Sequence, residues 1–321
     1  MKFPVTHGPN SILLNRQYAI WFKTRLAVLL QEIGINFPDE RLAPTTPNTV
    51  LFQYLVTQFR KTQPIDGEIV GRLLNPQTCK DEPITTSTIG SDAWESILTN
   101  NIDDSLSLGD RPPLHAVTYQ NYSSCIGQSL IQIGKFDSGH LQEIKRNIEN
   151  IKICRGKNFF ALSCKYHLGT IFIGVPSRSQ LNLFSGAHDM CIQLHFIEQI
   201  VHENAHQILI KFETLNRLYQ NPNQTRIFSP LRAEKRSDRG VLHAFFVIAR
   251  LLNFYQTLKR SDNNDYSTAI SRRIQELILN FHALRRDLTR VRLSSFTPIG
   301  NYVFQLISNY GSKPTQEKRC I

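Results

Sequence analysis

The chain has 321 residues, of which 41% are hydrophobic and 20% are charged, a balance that is typical of a globular protein with a large core. Its formal net charge at pH 7 is +11, but its arginines and lysines form no run longer than three. This distribution favours solvated helix faces over a nucleic-acid-binding stripe, and an acidic peptide partner would also explain the charge.

The sequence also argues against a membrane protein and against a disulfide framework. No uninterrupted apolar run approaches the roughly 18 residues of a spanning helix, and the N-terminus has no apolar signal core. The six cysteines include no CxxC pair, which indicates reduced thiols rather than disulfides or a structural zinc site. We therefore expect a cytoplasmic protein that does not enter a membrane.

Apolar residues at helical spacing predict three helices in the first part of the chain, over residues 13–34, 47–62 and 64–74. Residues 75–114 are rich in Pro, Thr, Ser, Asn and Asp, which predicts a loop region with one short helix near 91–99. We interpret residues 1–114 as an N-terminal helical and loop lobe, and as a candidate for peptide recognition.

The second part of the chain begins with strand-like runs and ends with long helices. The predicted strands are Ala116–Tyr119, Asn158–Ser163 and Thr170–Val175, and the predicted helices cover residues 138–150, 187–219, 238–259, 264–291 and 299–309. The predicted fold class is α+β and predominantly α-helical, with one long metal-binding helix packed against the C-terminal helices and a small sheet. Residues 115–321 are the predicted catalytic domain.

The pentapeptide His202–His206 is an HExxH motif within the helix predicted over residues 187–219. Two histidines four residues apart lie one turn apart on one face of a helix, so both imidazoles can reach a single divalent metal. Apolar neighbours indicate that this helix is largely buried, and buried histidines beside a carboxylate are costly unless they bind a metal or a hydrogen-bond partner. The motif therefore predicts a metal site at His202 and His206.

A third protein ligand has several candidates. Glu213 lies seven residues after His206, which is too far along the same helix to reach the same metal directly. His243 is preferred because it lies one turn into a strongly apolar helix, while Glu234 and Asp238 are weaker alternatives. His195 lies two turns before His202, about 10 Å along the helix, and is interpreted as a core or pocket histidine.

Four segments together resemble the HExxH-motif peptide-modification family of ribosomal peptide natural-product gene clusters: Gly169–Pro176, Ile200–Gln207, Ser229–Arg232 and Gly240–Ala244. Members of that family are 2-oxoglutarate-dependent, iron-binding peptide β-hydroxylases. The resemblance covers roughly residues 150–260, and it departs from the family pattern at Leu231 and Ser237, where the family has Trp and Pro.

The resemblance implies a non-haem Fe(II) oxygenase that uses 2-oxoglutarate to hydroxylate a β-carbon in a precursor peptide. His202, His206 and His243 would hold the iron. The distal carboxylate of 2-oxoglutarate needs a cationic anchor, for which the candidates are Arg232, Arg236 and, as a fallback, Arg250.

Glu203 has a different role in each of the possible functions. In the oxygenase it would be a third ligand or a neighbour of the ligands, whereas in a zinc metallopeptidase it would be the general base. The metallopeptidase is the alternative enzyme, and a non-enzymatic binding protein for a peptide or nucleic acid, with structural histidines, is the alternative from another class. The +11 charge suits a precursor peptide that is acidic.

Overall fold

The structure is a computed structural model, and it describes residues 9–35, 42–74, 84–88, 95, 116–155, 161–163, 165–184, 186–222, 225–229, 234–260 and 266–310. Within these ranges the helices are α1 (Pro9–Glu32), α2 (Thr46–Lys61), α3 (Gly67–Leu74), α4 (Ala116–Phe136), α5 (Ser138–Asn147), α6 (Arg178–Leu181), α7 (His188–Leu215), α8 (Asp238–Lys259), α9 (Tyr266–Ser295) and α10 (Pro298–Tyr310). The strands are β1 (Thr85–Thr88), β2 (Asn150–Cys154), β3 (Ala161–Leu162), β4 (Thr170–Gly174), β5 (Thr225–Ser229) and β6 (Glu234–Ser237). The predicted α+β class with a predominance of helix is confirmed.

The strands form two small sheets. The first has the order β1-β2-β4-β3, in which β1, β2 and β4 are parallel and β3 is antiparallel to β4. Every residue of β4 is buried, as expected of a strand that is covered on both faces. The second sheet is the antiparallel pair β5-β6, which leads directly into α8. β6 therefore fixes the position at which α8 begins, and Ser237 caps that helix by accepting a hydrogen bond from the backbone N–H of Gly240.

The long helix α7 lies at the centre of the packing. It contacts α1, α4, α5 and α8 as well as β4, and α8 packs in turn against α9 and α10. Its buried apolar residues, which include Phe196, Ile200 and Ile208, join one core with those of α8. A second cluster joins α1, α2 and α3 to Phe172 of β4 and Ile210 of α7. Because both clusters reach α7, the helix that carries the HExxH motif is packed from two sides.

Helix α8 is long and apolar enough to cross a bilayer by length and composition, but 78% of its most apolar 18-residue window is buried inside the fold. It packs between α7 and α9, so it serves as a core helix in this structure. β1, which belongs to the predicted N-terminal lobe, pairs with β2 from the predicted catalytic domain. Strands on both sides of residue 114 thus share one sheet.

Several predicted elements differ from the structure. The strand predicted at Ala116–Tyr119 is wrong, because these residues form the first turn of α4. Their strand propensity is outweighed by the packing of the following helix, in which Ile126 and Ile133 are fully buried at helical spacing. The helix predicted over 138–150 ends at Asn147, since Ile151 belongs to β2. Thr85–Thr88 form a strand inside the predicted loop region.

Other predictions agree with the structure or fall partly outside it. The helices predicted over 13–34, 47–62, 187–219, 238–259, 264–291 and 299–309 correspond to α1, α2, α7, α8, α9 and α10, within a few residues at each end. The strand at Thr170–Val175 corresponds to β4. Of the strand predicted at Asn158–Ser163 the structure describes only the last three residues, and of the helix near 91–99 it describes only Glu95, which is helical.

Candidate metal centre

His202 and His206 lie one turn apart on α7, and their Nε2 atoms are 3.2 Å from each other. Two nitrogens that each bind one metal at about 2.1 Å and at right angles are about 3 Å apart. The observed separation therefore fits a shared ion. The side chain of His202 is 34% exposed, which leaves the cluster open to solution on one side.

Glu203 supplies a carboxylate to the same place. Its Oε1 atom is 3.8 Å from Nε2 of His202, and the ligand atoms of His202, Glu203 and His206 all lie within 4.8 Å of one another. The hydroxyl of Ser163, just after β3, donates a hydrogen bond to Oε2 of Glu203 at 2.6 Å. Since this contact holds one carboxylate oxygen, the other oxygen is the one that faces the histidines.

The electrostatic surroundings keep His206 neutral. Burial lowers the pKa of His206 well below its usual value, and the neighbouring His202, His243, Arg236 and Arg239 lower it further. A histidine must be neutral to offer a lone pair to a metal. This environment therefore favours the protonation state that metal binding requires.

His243 contacts the cluster from its other side. Nδ1 of His243 is 3.1 Å from Nδ1 of His206, and Nε2 of His243 is 2.8 Å from Oε1 of Glu213. His206 thus directs one ring nitrogen at His202 and the other at His243. One imidazole cannot offer both nitrogens to a single ion, so in this arrangement His243 orients His206, and Glu203 supplies the third converging atom.

Glu213 is the fixed acceptor at the end of this chain of contacts. It accepts hydrogen bonds from the hydroxyl of Tyr219 at 2.6 Å and from Nε of Arg239 at 2.9 Å, in addition to its contact with His243. Although burial raises the pKa of Glu213, its contacts with His243 and Arg239 outweigh this and lower it to about 2. Glu213 is therefore ionised and can only accept hydrogen bonds.

The direction of the hydrogen bonds follows from the charge on Glu213. Nε2 of His243 must carry the proton that Glu213 accepts. In neutral His243 the Nδ1 atom then has a lone pair, which accepts a hydrogen bond from Nδ1–H of His206. This leaves the lone pair of His206 on Nε2, the atom that faces His202. Such a chain behind a metal-binding histidine is the usual way in which proteins fix the tautomer of a ligand.

The three predicted cosubstrate arginines lie in different surroundings. Arg236 lies at the end of β6, close enough for its charge to lower the pKa of His206, and its guanidinium packs against Gly240. Arg250 is fully buried and forms an ion pair with Glu143. Arg232 lies outside the described residues. Of the two that the structure describes, Arg236 is the one whose charge acts on the histidine cluster.

The weaker candidates lie apart from the cluster. His195 is buried, and burial lowers its pKa to about 4, as expected of a core histidine. Glu234 is exposed on β6, and Asp238 is fully buried at the start of α8. The described cluster of potential ligand atoms includes none of these three side chains.

Glu213, Glu198 and Ser163 belong to the site but are not identified by the HExxH pattern. Glu213 is about 10 Å along α7 from His206, which argues against a shared ion, but α8 crosses at this point and places His243 between them. Glu198 is one turn before His202 and is held by Arg273 and Tyr255. Its spacing of four residues from His202 was the available signal. No sequence spacing indicates Ser163, since its hydrogen bond with Glu203 depends on how the sheet packs against α7.

No protein-family model and no curated protein sequence matches this chain. A function for this chain is therefore inferred from the geometry of the site and from the motif combination described above.

Proposed function

We propose that this protein is an Fe(II)- and 2-oxoglutarate-dependent oxygenase that hydroxylates a β-carbon of a residue in a ribosomally made precursor peptide. The observation that supports this most directly is the convergence of His202, Glu203 and His206. Two histidines and one carboxylate with open positions form the donor set typical of non-haem iron oxygenases. The resemblance of residues 150–260 to the HExxH peptide-modification family supports the substrate class.

Within this proposal each side chain has a defined task. His202 and His206 hold the metal through Nε2, and Glu203, fixed by Ser163, supplies the carboxylate. His243 and Glu213 keep His206 in the tautomer that leaves Nε2 free. Bound iron with 2-oxoglutarate supplies the oxidising chemistry, and the protein positions the peptide and keeps water away.

Arg236 is the proposed anchor for the distal carboxylate of 2-oxoglutarate. It is one of the two arginines that the family resemblance implies, and its charge acts on His206. A guanidinium can form two parallel hydrogen bonds with a carboxylate, which fixes both position and orientation. The formal charge of +11 suits a precursor peptide that is acidic, so we expect peptide binding to weaken as the salt concentration rises.

A zinc metallopeptidase is the second candidate, and the position of Glu203 is the observation that favours it. A carboxylate beside two metal-binding histidines can take a proton from a metal-bound water, which is the role of this glutamate in HExxH peptidases. In that case Oε1 of Glu203, 3.8 Å from Nε2 of His202, would face the water rather than the ion.

The deciding experiment is metal analysis of protein purified without oxygen, followed by an assay for succinate formed from 2-oxoglutarate. We expect about one iron per chain and succinate formation that is lost in His202→Ala and His206→Ala. His188→Ala, which changes an exposed histidine at the start of the same helix, is the matched control and should behave like wild type. Stoichiometric zinc, with peptide cleavage that Glu203→Gln abolishes and 2-oxoglutarate does not affect, would support the peptidase instead.

A further inference from the structure

A polar cavity lies on the face of α7 opposite the histidines. Its volume is about 290 Å³, and it is bounded by α1, the segment before α2, the end of α5 and α7. Lys211 lines the cavity and is nine residues after His202. At about 100° per residue this spacing is two full turns and half a turn, so the two residues lie on opposite sides of the helix. The cavity is thus separated from the metal centre by the body of the helix.

Lys211 is a buried cation with incomplete hydrogen bonding. Its side chain is only 6% exposed, and Nζ donates to Oδ1 of Asn15 at 3.0 Å and to Oδ1 of Asn147 at 2.8 Å. An ammonium group has three N–H donors, so the described residues supply two hydrogen-bond acceptors for three donors, and the ammonium also lies 5.8 Å from the centre of the Tyr18 ring. Burial lowers the pKa of Lys211 to about 8, against the opposing influence of Glu149 and Glu143.

Two further donors around the cavity lack an acceptor among the described residues. The contact with Lys211 fixes the amide of Asn15, because Oδ1 must face the ammonium, and Nδ2 is then left buried without a partner. The hydroxyl of Thr45 is also buried without a partner. Both residues line the cavity together with Lys211. Three unmatched donors at one cavity call for a ligand with acceptor oxygens.

The amide of Asn147 is fixed in a way that keeps Lys211 in place. Oδ1 of Asn147 accepts from Lys211, while its Nδ2 donates to Oδ1 of Asn204 at 2.8 Å, and Nδ2 of Asn204 donates to Glu143 at 2.9 Å. Arg250 also pairs with Glu143. Each amide in this buried chain can point in only one direction. The ammonium is therefore held in position before any ligand arrives, which lowers the entropy cost of binding.

The charges and the walls of the cavity define the ligand more closely. Arg146 and Glu149 also line the cavity, and Oε2 of Glu149 accepts a hydrogen bond from the backbone N–H of Thr46 at 3.1 Å, so Lys211 is the buried cation of a site that also holds one carboxylate. A dianionic phosphate would be opposed by Glu149, whereas one carboxylate would be balanced by Lys211. The walls also include apolar surface from Tyr18, Ala43 and Pro44. For comparison, a cavity of about 150 Å³ holds benzene.

We propose that this cavity binds a small organic monocarboxylate, whose carboxylate contacts Lys211, Asn15 and Thr45 and whose apolar body packs against Tyr18 and Ala43. Binding at this site does not depend on the metal, because the cavity and the histidines occupy opposite faces of α7. The result of a binding test at this cavity is therefore independent of whether the protein has the proposed oxygenase activity.

The test uses benzoate as the probe and benzamide as a neutral probe of the same shape. Binding is measured by calorimetry on the full-length chain and by the increase in melting temperature, with and without a chelator. We expect benzoate to bind at least tenfold more tightly than benzamide and its affinity to be unchanged by the chelator. Equal binding of the two probes, or no binding of benzoate, would overturn the proposal.

Three variants identify the location of binding. Lys211→Met removes the charge at similar length, Thr45→Val removes one hydroxyl, and Ala43→Leu fills the cavity while all charges remain. We expect at least a tenfold loss of benzoate affinity for Lys211→Met and Ala43→Leu and a smaller loss for Thr45→Val. Lys145→Met, at an exposed position on α5, should bind like wild type. If Lys211→Met does not fold, wild-type affinity in Ala43→Leu alone is sufficient to reject the cavity as the site.

Discussion

Oε1 of Glu213 lies 2.8 Å from Nε2 of His243, and this contact joins α7 to α8 directly behind the HExxH motif. The opposite nitrogen of His243 faces His206, so a carboxylate seven residues beyond the motif acts on its second histidine through the neighbouring helix. Arg239 and Tyr219 hold the carboxylate from two further directions. The orientation of His206 thus depends on residues that an HExxH pattern does not include.

Replacing Glu213 with Gln should weaken metal binding by about 10- to 100-fold, the usual effect of losing a hydrogen-bond partner behind a metal-binding histidine. The glutamine amide cannot accept from His243, Tyr219 and Arg239 together, because one of its two ends carries only donors. Competition with a chromogenic chelator measures the affinity. Glu68→Gln, at an exposed position on α3, is the control, and equal affinities of the two variants would contradict the role of Glu213.

Ser163→Ala should also weaken metal binding, because it removes the hydrogen bond that holds Oε2 of Glu203. A hydrogen bond to a charged group contributes about 1.5–3 kcal/mol, which corresponds to a loss of affinity of about 10- to 100-fold. Thr24→Ala serves as the control, since the hydroxyl of Thr24 donates to the carbonyl oxygen of Ile20 within α1 at an exposed position. Unchanged affinity in Ser163→Ala would show that Glu203 does not depend on this contact.

The roles of His206 and His243 can be separated by comparing their alanine variants. If His243 orients His206, His243→Ala should retain metal with an affinity about 10- to 100-fold lower, whereas His206→Ala should lose stoichiometric metal. Metal content after dialysis against a weak chelator distinguishes these outcomes. Loss of stoichiometric metal in both variants would instead identify His243 as a ligand, as the sequence predicts.

Much of this arrangement could be predicted from local sequence patterns. Helical spacing predicts α7 and α8, and the spacing of His202 and His206 predicts that their imidazoles lie side by side, because both depend on the geometry of a single helix. The contact between His206 and His243 depends on how two helices cross, and sequence indicated only that His243 occupies an unusual position in an apolar helix. Distance along one helix was a poor guide to the importance of Glu213.

The errors in the strand predictions have a related cause. Ala116–Tyr119 has strand-forming side chains, yet it continues into a helix whose buried face begins several residues later. Ile151 continues the helical spacing of α5 but belongs to β2, where it pairs with Ile171 of β4. In both places the decisive interactions come from distant parts of the chain, which a local pattern does not contain.

Gly300→Ala should destabilise the protein strongly, by about 3 kcal/mol or more, because a Cβ at this position would lie 2.0 Å from the backbone oxygen of Leu218. That oxygen already accepts a hydrogen bond from Thr297, so it cannot move freely. Gly71→Ala on α3 has open space around it and should stabilise the protein by about 0.5–1 kcal/mol. Urea unfolding measures the free energy of unfolding of both variants. Similar free energies would contradict a clash between a Cβ at position 300 and the backbone oxygen of Leu218.

Lys211 should make the stability of the protein depend on pH above neutrality. Its pKa is about 8 in the folded protein and about 10.5 when unperturbed, so between these values the unfolded chain binds more protons. The free energy of unfolding therefore rises with pH across this range, by about 3 kcal/mol at most. Below pH 8 both states carry the charge, so the cost of burying it is fully present.

The comparison with Lys211→Met isolates this contribution, since Tyr18, Glu143, Arg146 and Glu149 surround the same position in both proteins. Urea unfolding at pH 7.5, 9 and 10 should show wild type gaining stability relative to the variant as the pH rises. A constant difference between the two proteins would mean that Lys211 titrates at its ordinary pKa in the folded state. Added benzoate should reduce the pH dependence, because a bound carboxylate stabilises the charged ammonium and moves its pKa back up.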